Sequence, residues 1–582
     1  MSSLDHFDKS RNRGSHRGLF HSNEAFPYET IQASSQIRVI ELAPGEYGSP
    51  LEATWKIVNM QRPSYYEAVS HHWGPPGSRA RISFPEGHLQ ISSSISAALQ
   101  QFRQTDVVRC LWIDSICINQ ADNTEKDAQV RIMRSIYHQA DRTLIWLGKE
   151  RKETAAAFSA IQRLARASQT IQEQYGSLGH FELALKAGLF DVTPAERSAL
   201  IALLERGWFY RTWVLQEVAL SPKAMLHCGG HSCDWDSLAN ISHTLCATVG
   251  TYALGLEQSG LAFIVAVVRP YREWDRSLWR LLQLTLDCEV SDSRDKVFAL
   301  LGLAHDGHDF LHLVDYDRDP HAIYLDVFQH YFDAGRPGLL NQAGNAAWRR
   351  TRSLPSWVAD WLVMDYHPNL FERGSQHDAF LLPGTSPRIS ADGKRLAIRG
   401  LVRDQVSYIR SSGRKTFKSA ARVYLYLWRK LAVECAFYPD GTPTIDAFAQ
   451  TLVLGLPPPI APFTTSDDLL TTLHAWLKTH SLTENHAEWS ATDLVLYDYY
   501  RAMTEACFNR TFFRTHAGYI GLGSFFLRPG DLIVELHNGT TPFAIRPAAD
   551  GCYTLVGDTY LHGFMEGPVV TAGRKILDFA LV

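Results

Sequence analysis

The chain has 582 residues, is 45% hydrophobic and 20% charged, and carries a formal net charge of -4. That length is too great for one core, so roughly two to four domains are expected, and with no run of Lys and Arg and no apolar stretch near the roughly 18 residues of a bilayer span, neither nucleic acid nor a membrane is an expected partner. Nine scattered cysteines and a polar first thirty residues without an apolar signal core predict reduced thiols in a cytoplasmic protein.

Residues 1–30 lack periodicity and are read as a mobile arm. Strands are predicted at Ile37–Leu42 and Tyr65–Ser70, the first leading to a Pro44-Gly45 turn and the second to His71-His72-Trp73-Gly74. A hairpin about Glu86-Gly87 and a helix over Ser92–Phe102 follow. The most informative stretch is Leu111–Gly148. Its two apolar runs, LWID and TLIWLG, flank a helical pattern carried by Ala128, Ile132, Met133, Ile136, Tyr137 and Ala140. Thr124 and Asp127 have the spacing of a capping box at its start. Strand, helix and strand at this length predict a right-handed βαβ unit. Asp114, Ser115, Cys117, Asn119 and Gln120 then fall at the carboxyl end of its first strand, where open α/β sheets bind ligands.

Residues 151–200 read as helical, with an insert at Gly176–Gly188. On a continuous helix Arg206, Tyr210, Trp213 and Glu217 form one stripe, with Trp208, Arg211 and Leu215 beside it. Strands about a Gly229-Gly230 turn, a mainly helical region to about 340, and a turn and strand over Asp392–Val402 come next. Helical patterns return from 415 to 510, broken by LGLPPPIAPF, and the end is β-rich. No repeat of 20–50 residues is present.

Three blocks carry a resemblance: YEAVSHHWG at Tyr66–Gly74, WIDSICINQ at Trp112–Gln120 and RGWFYRTWVLQE at Arg206–Glu217. In this order they resemble the fungal heterokaryon incompatibility (HET) domain family. SDSRDKVFALLGLA, LPSWVADW and the terminal GYIGLG to HGFMEG resemble blocks that many family members carry downstream. Two positions depart from the usual pattern. His71 stands where Tyr is usual, and the end reads Gly563-Phe564-Met565-Glu566-Gly567-Pro568 rather than Gly-x-Met-Asp-Gly-Glu. The resemblance implies programmed cell death when genetically different hyphae fuse. It also implies a TIR-like, flavodoxin-like α/β fold with a mainly parallel sheet, and some TIR domains cleave NAD.

The expected organisation is an arm at 1–30, a HET domain at 31–240, a mainly helical region at 241–410, a helical insert at 411–510 and a β-rich region at 511–582. Asp114 and Glu217 are the candidate catalytic carboxylates, since a carboxylate beside a ribose stabilises an oxocarbenium-like transition state. Ser70, Trp73, Gly74, Cys117, Asn119, Gln120, Arg206, Arg211 and Gln216 are the candidate ligand-binding residues, with Gln129 a further amide near them. The structural alternative is that these groups satisfy one another and the backbone.

Trp112, Trp146, Trp208 and Trp213, with Trp73, read better as core than as a cofactor platform. No phosphate-cradling motif follows either strand, and no cofactor is expected. His227, Cys228, His231 and Cys233 have a zinc-like spacing, but a hairpin would split them between faces, so no metal is assigned. Cys117 reads as a buried thiol without a fixed histidine partner, and Arg294-Asp295 as a helix-start pair. Three functions remain: an incompatibility or cell-death factor with a protein partner or self-association, a nucleotide (NAD)-cleaving hydrolase, and a silent interaction module or an enzyme of specialised metabolism.

Overall fold

The computed structural model describes residues 26–62, 64–73, 79–175, 192–247, 276–344, 354–362, 380–383, 386–411, 417–432, 434, 437–455, 471–473, 475, 491–565 and 576–582. The Gly176–Gly188 insert, Gly74, residues 1–25 and most of LGLPPPIAPF lie outside these. The chain divides into two compact units, Met1–Asp317 and Arg318–Val582.

The first unit is built on a seven-stranded sheet with the order β2-β1-β6-β3-β7-β8-β9. Its strands are β1 (Gln36–Leu42), β2 (Ala53–Asn59), β3 (Glu67–His71), β6 (Arg109–Trp112), β7 (Thr143–Trp146), β8 (Ala224–Cys228) and β9 (His231–Asp234), while β4 (Arg79–Phe84) and β5 (Gly87–Ser92) form a separate hairpin. Every residue of β3 and of β7 is buried, as befits strands covered on both faces.

The expectation of a mainly parallel, TIR/flavodoxin-like sheet is corrected. The sheet is mixed: β6–β3, β3–β7 and β7–β8 are parallel, whereas β1–β2, β1–β6 and β8–β9 are antiparallel. The reason is local. The glycine turn at Gly229-Gly230 folds β9 back on β8, and β1 returns antiparallel onto the outer side of β6. Apolar periodicity reports burial of a strand but not the direction of its neighbour. The two strands of the Leu111–Gly148 unit are also not adjacent, because β3 lies between them.

Between those strands the single expected helix is three short ones: α2 (Asp114–Cys117), α3 (Asn123–Arg131) and α4 (Met133–Gln139). They come after α1 (Ser93–Phe102), which Ser92 caps as its hydroxyl accepts from Ile95 N at 3.2 Å. Ile132, at φ -102° and ψ 5°, separates α3 from α4. The cap is Asp122 rather than Thr124: its carboxylate accepts from the backbone N–H groups of Thr124 (2.9 Å) and Glu125 (3.2 Å). Asp127 instead receives the Tyr316 N–H at 2.9 Å. Asp122→Ala is expected to cost about 1 kcal/mol, read as a lower urea midpoint for the first unit at unchanged slope.

The back of this stretch is tied to the N-terminal segment. Buried Arg38 on β1 forms a forked pair with Glu125 (2.5 and 2.9 Å) and donates to the carbonyl of Cys117 at 3.2 Å. Tyr28 Oη donates to the carbonyl of Ile116 at 3.1 Å. Gln129, wholly buried, donates to the carbonyls of Ala33 (2.7 Å) and Gln36 (2.8 Å).

Beyond β7 come α5 (Thr154–Tyr175) and α6 (Pro194–Leu204), the latter opened by a capping box of Thr193 and Glu196. The stripe expected on a helix over Arg206–Glu217 does not exist as one element. A 3-10 turn covers Gly207–Tyr210, Arg211 is extended, and α7 runs over Val214–Ala219. The interruption has a partner: Thr212 N and the Tyr210 carbonyl bond to the backbone of Glu289 at 3.1 and 2.5 Å. Glu289 lies after α8 (Trp235–Ala247) and α9 (Leu278–Leu284), just before α10 (Asp295–Phe298). Arg294 pairs with Asp292 at 2.7 Å, and Tyr316 Oη donates to Asp295 at 2.5 Å, so SRDK is a packed hub of this unit.

The second unit opens with α11 (Pro320–Asp333), β10 (Arg388–Ile389) and the long β11 (Leu396–Ser411). Helices α12 (Phe417–Ala432), α13 (Thr444–Thr451) and α14 (Ala491–Cys507) follow. The chain ends in β12 (Arg510–Thr515), β13 (Ile520–Ser524), β14 (Leu532–Leu536), β15 (Phe543–Pro547), β16 (Tyr553–Leu561) and β17 (Ile576–Leu581). β11 pairs with both β12 and β14, so β11-β12-β13-β16-β15-β14 closes into an antiparallel barrel. Closure removes exposed edges. Val406, Phe513, Ile533, Ala544 and Leu561 form one core of the unit, and a second core joins Phe512 and Leu522 to Trp428, Phe448 and Met503 of the helices.

Candidate functional site

The carboxyl ends of β3 and β6 lie side by side, and α7 lies against them. Ser70 is the penultimate residue of β3, Asp114 follows β6 by two residues, and Glu217 is on α7. The Trp208 indole N–H donates to Ser70 Oγ at 2.7 Å, and the Ser70 hydroxyl in turn donates to Glu217 Oε2. Glu217 is 3% exposed. Burial raises its carboxyl to about 7; the Arg211 guanidinium opposes that rise, the Asp114 charge adds to it, and the Ser70 bond lowers it. An unfolded glutamate titrates near 4.5, so between there and about 7 folding takes up a proton at Glu217. Its contribution to stability therefore falls as pH rises through that window.

Asp114 is held differently. Its Oδ1 accepts the Ser115 N–H at 2.6 Å and its Oδ2 the Trp73 indole N–H at 3.0 Å. His71 Nδ1 lies 3.6 Å from Oδ1, and His71 Nε2 lies 3.3 Å from Ser115 Oγ. Burial lowers His71 to about 4, Asp114 pulling it up while Arg211 and His72 push it down. The ring is therefore neutral at pH 7, and the 3.6 Å approach is no ion pair. Arg211 donates to the His71 carbonyl. Buried Tyr137 senses both carboxylates, its hydroxyl held well above its usual range by burial, then by Glu217 and Asp114.

The structure thus brings Ser70, Trp73, Arg211, Asp114 and Glu217 into one neighbourhood. It does not aim the other candidates there. Asn119 Oδ1 accepts from Ala121 N at 3.2 Å, Gln120 donates to the Asp114 carbonyl at 3.0 Å, and Gln216 donates to the Ala299 carbonyl at 2.7 Å. Arg206 donates to the carbonyls of Leu147 (2.7 Å) and Lys149 (3.0 Å) beyond β7. Cys117 is buried, accepts from Ile113 N at 3.3 Å, and has a thiol pushed up to about 12 by burial, so it is a packing residue. Gly74 lies outside the described residues.

Three residues of the neighbourhood were not singled out from sequence as site members: His71, Trp208 and Tyr137. The substitution of His for the usual Tyr was the one signal available for His71. Trp112, Trp146 and Trp208 are core, whereas Trp73 is 37% exposed. On the β8–β9 hairpin His227 pairs with Ser232 and Cys228 with His231, which puts His227 on the opposite face from Cys228. Among the described residues no group of three or more His, Cys, Asp or Glu is arranged to hold a metal.

Residues 66–217 match the family described as heterokaryon incompatibility protein (HET), and residues 467–582 match the Het-6 β-barrel domain. The first unit thus carries the HET match. The chain is also similar to heterokaryon incompatibility protein 6, OR allele, of Neurospora crassa, at 25% identity covering 96% of this chain and 98% of that protein. No solved structure matches. The HET match runs from Tyr66 to Glu217 and so spans the whole neighbourhood. The barrel match omits β11, without which the barrel does not close. Among the described residues no helix is long and apolar enough to cross a membrane.

Proposed function

We propose that this HET-domain protein is a cytoplasmic incompatibility factor whose first unit triggers cell death after recognition of a protein partner or of a second copy. The match to an incompatibility protein along nearly the full length of both chains carries this reading. Full-length protein induced in a filamentous fungus should arrest hyphal growth and admit a vital dye, and Glu217→Gln should abolish both at equal protein level. Normal growth with abundant, folded wild-type protein would sink the proposal.

A second reading concerns chemistry. A buried carboxyl titrating near 7 beside another carboxylate suits a general acid paired with an anion. This supports hydrolysis of a polar ligand such as a nucleotide at its glycosidic bond. Purified full-length protein incubated with NAD should release nicotinamide, and chromatography showing no turnover, alone or forcibly clustered, would remove this reading.

A further inference from the structure

The Asp114 carboxylate accepts from the Ser115 N–H and the Trp73 indole N–H and lies beside a neutral His71 ring. Among the described residues no Lys or Arg pairs with it, and its side chain keeps 18% of its surface exposed. The hydrogen bond to Asp114 also fixes the plane of Trp73. The inner side of that indole is backed by the His71 ring, nearly parallel at 13° with centroids 6.5 Å apart. Trp73 as a whole keeps 37% of its surface exposed. Arg211, the cation of the neighbourhood, donates to the His71 carbonyl and so does not neutralise Asp114 by a direct bond.

An immobilised electron-rich ring face next to an unneutralised carboxylate attracts one class of ligand. The face draws a cation through the ring quadrupole, and the carboxylate supplies the countercharge. A compact ammonium would keep its water on such an open surface. A flat cation with delocalised charge loses less hydration and covers the indole. We propose that Trp73 and Asp114 form a subsite for a flat organic cation, so that the ligand of the site carries a delocalised, positively charged ring. The inference rests on the reading of this neighbourhood as a ligand site.

The subsite is also coupled to Glu217. The groups facing Glu217 are Asp114 after β6, Arg211 before α7, the Ser70 hydroxyl on β3 and Tyr137 on α4. A cation seated on Asp114 relieves the repulsion that helps hold the proton on Glu217. Cation binding therefore releases that proton, and affinity rises as pH rises through the range where Glu217 titrates.

The test is calorimetric titration of full-length protein with N-methylpyridinium, which keeps its charge at every pH, and with toluene, its neutral counterpart in shape. Saturable binding of the cation is expected, with toluene weaker by about fivefold. Asp114→Asn and Trp73→Leu should each weaken the cation by about three- to fivefold, while Trp73→Phe, which keeps a ring face, should retain most of the affinity. Affinity should climb a few-fold from about pH 6 to about pH 8, and Glu217→Gln should flatten the climb. Thermal melting separates misfolded variants from weakened ones. Equal binding of toluene, indifference to both Asp114→Asn and Trp73→Leu in folded protein, or no saturable binding would overturn the proposal. If Glu217→Gln still abolishes toxicity in that case, the site reading stands and only the cation subsite falls.

Discussion

Replacing Glu535 with alanine will cost the second unit about 3–5 kcal/mol. Glu535 on β14 and Arg403 on β11 meet in a forked pair at 2.6 and 2.5 Å, with side chains 0% and 1% exposed. β11 and β14 are the two strands whose pairing closes the barrel. Removing the carboxylate takes both forked acceptors away from a buried guanidinium at that seam, and the cost is mostly the loss of these charge-assisted bonds in a site closed to water. Arg403 also lies over the Phe564 ring, 5.1 Å from its centroid, so its stem is packed from a second side. The double variant Arg403→Met, Glu535→Leu should recover part of the loss, because two apolar side chains of similar volume remove both members of the forked pair together. Hydrogen exchange of peptides from 396–411 and 532–547 reads the seam directly. Equal loss in the single and double variants would show that the pair does not act through charge.

The sequence made some elements legible and hid others for identifiable reasons. Short runs such as TLIW and EAVS marked buried strands, the first because burial on both faces favours hydrophobic residues and the second despite its buried Glu67 and Ser70. Their order and direction were not legible. β3 enters between β6 and β7, and nothing in its own residues announces that insertion. The Arg206–Glu217 segment misled because its spacing suits a helix, while Glu289, more than seventy positions on, pulls the middle of it into extended backbone. Asp114 and Glu217 were legible as candidates from their place in the blocks. The groups that set their behaviour were less so: Trp208, His71 and Tyr137 act through burial and orientation, which residue type alone does not disclose. Gln216 and Gln120 looked like ligand-binding amides, but backbone carbonyls, a buried one for Gln216 and a half-buried one for Gln120, claimed both first.

The dependence of the 206–217 segment on a distant tether makes Lys296→Met the second large effect. Lys296 is 2% exposed, and its ammonium donates to the carbonyls of Thr285 (3.2 Å), Leu286 (3.0 Å) and Cys288 (2.6 Å). Those carbonyls belong to the turn between α9 and Glu289, which the ammonium gathers into one loop. Methionine fills much of the same volume but donates nothing, so three acceptors inside the protein lose a donor. The expected cost is about 3 kcal/mol in the first unit. The effect should not stay where the substitution is made. Cys288 immediately precedes Glu289, whose N–H and carbonyl hold Tyr210 and Thr212. A loosened turn releases the extended residue Arg211, and with it the guanidinium that opposes proton binding at Glu217. Hydrogen exchange at Thr212 and Glu289 should accelerate by at least about tenfold, beyond any change in β1 or β6. Glu217 should then hold its proton to higher pH. Unchanged protection at Thr212 in a destabilised variant would mean that Lys296 supports only its own turn, and that the segment after residue 217 does not govern the carboxylate it lies beside.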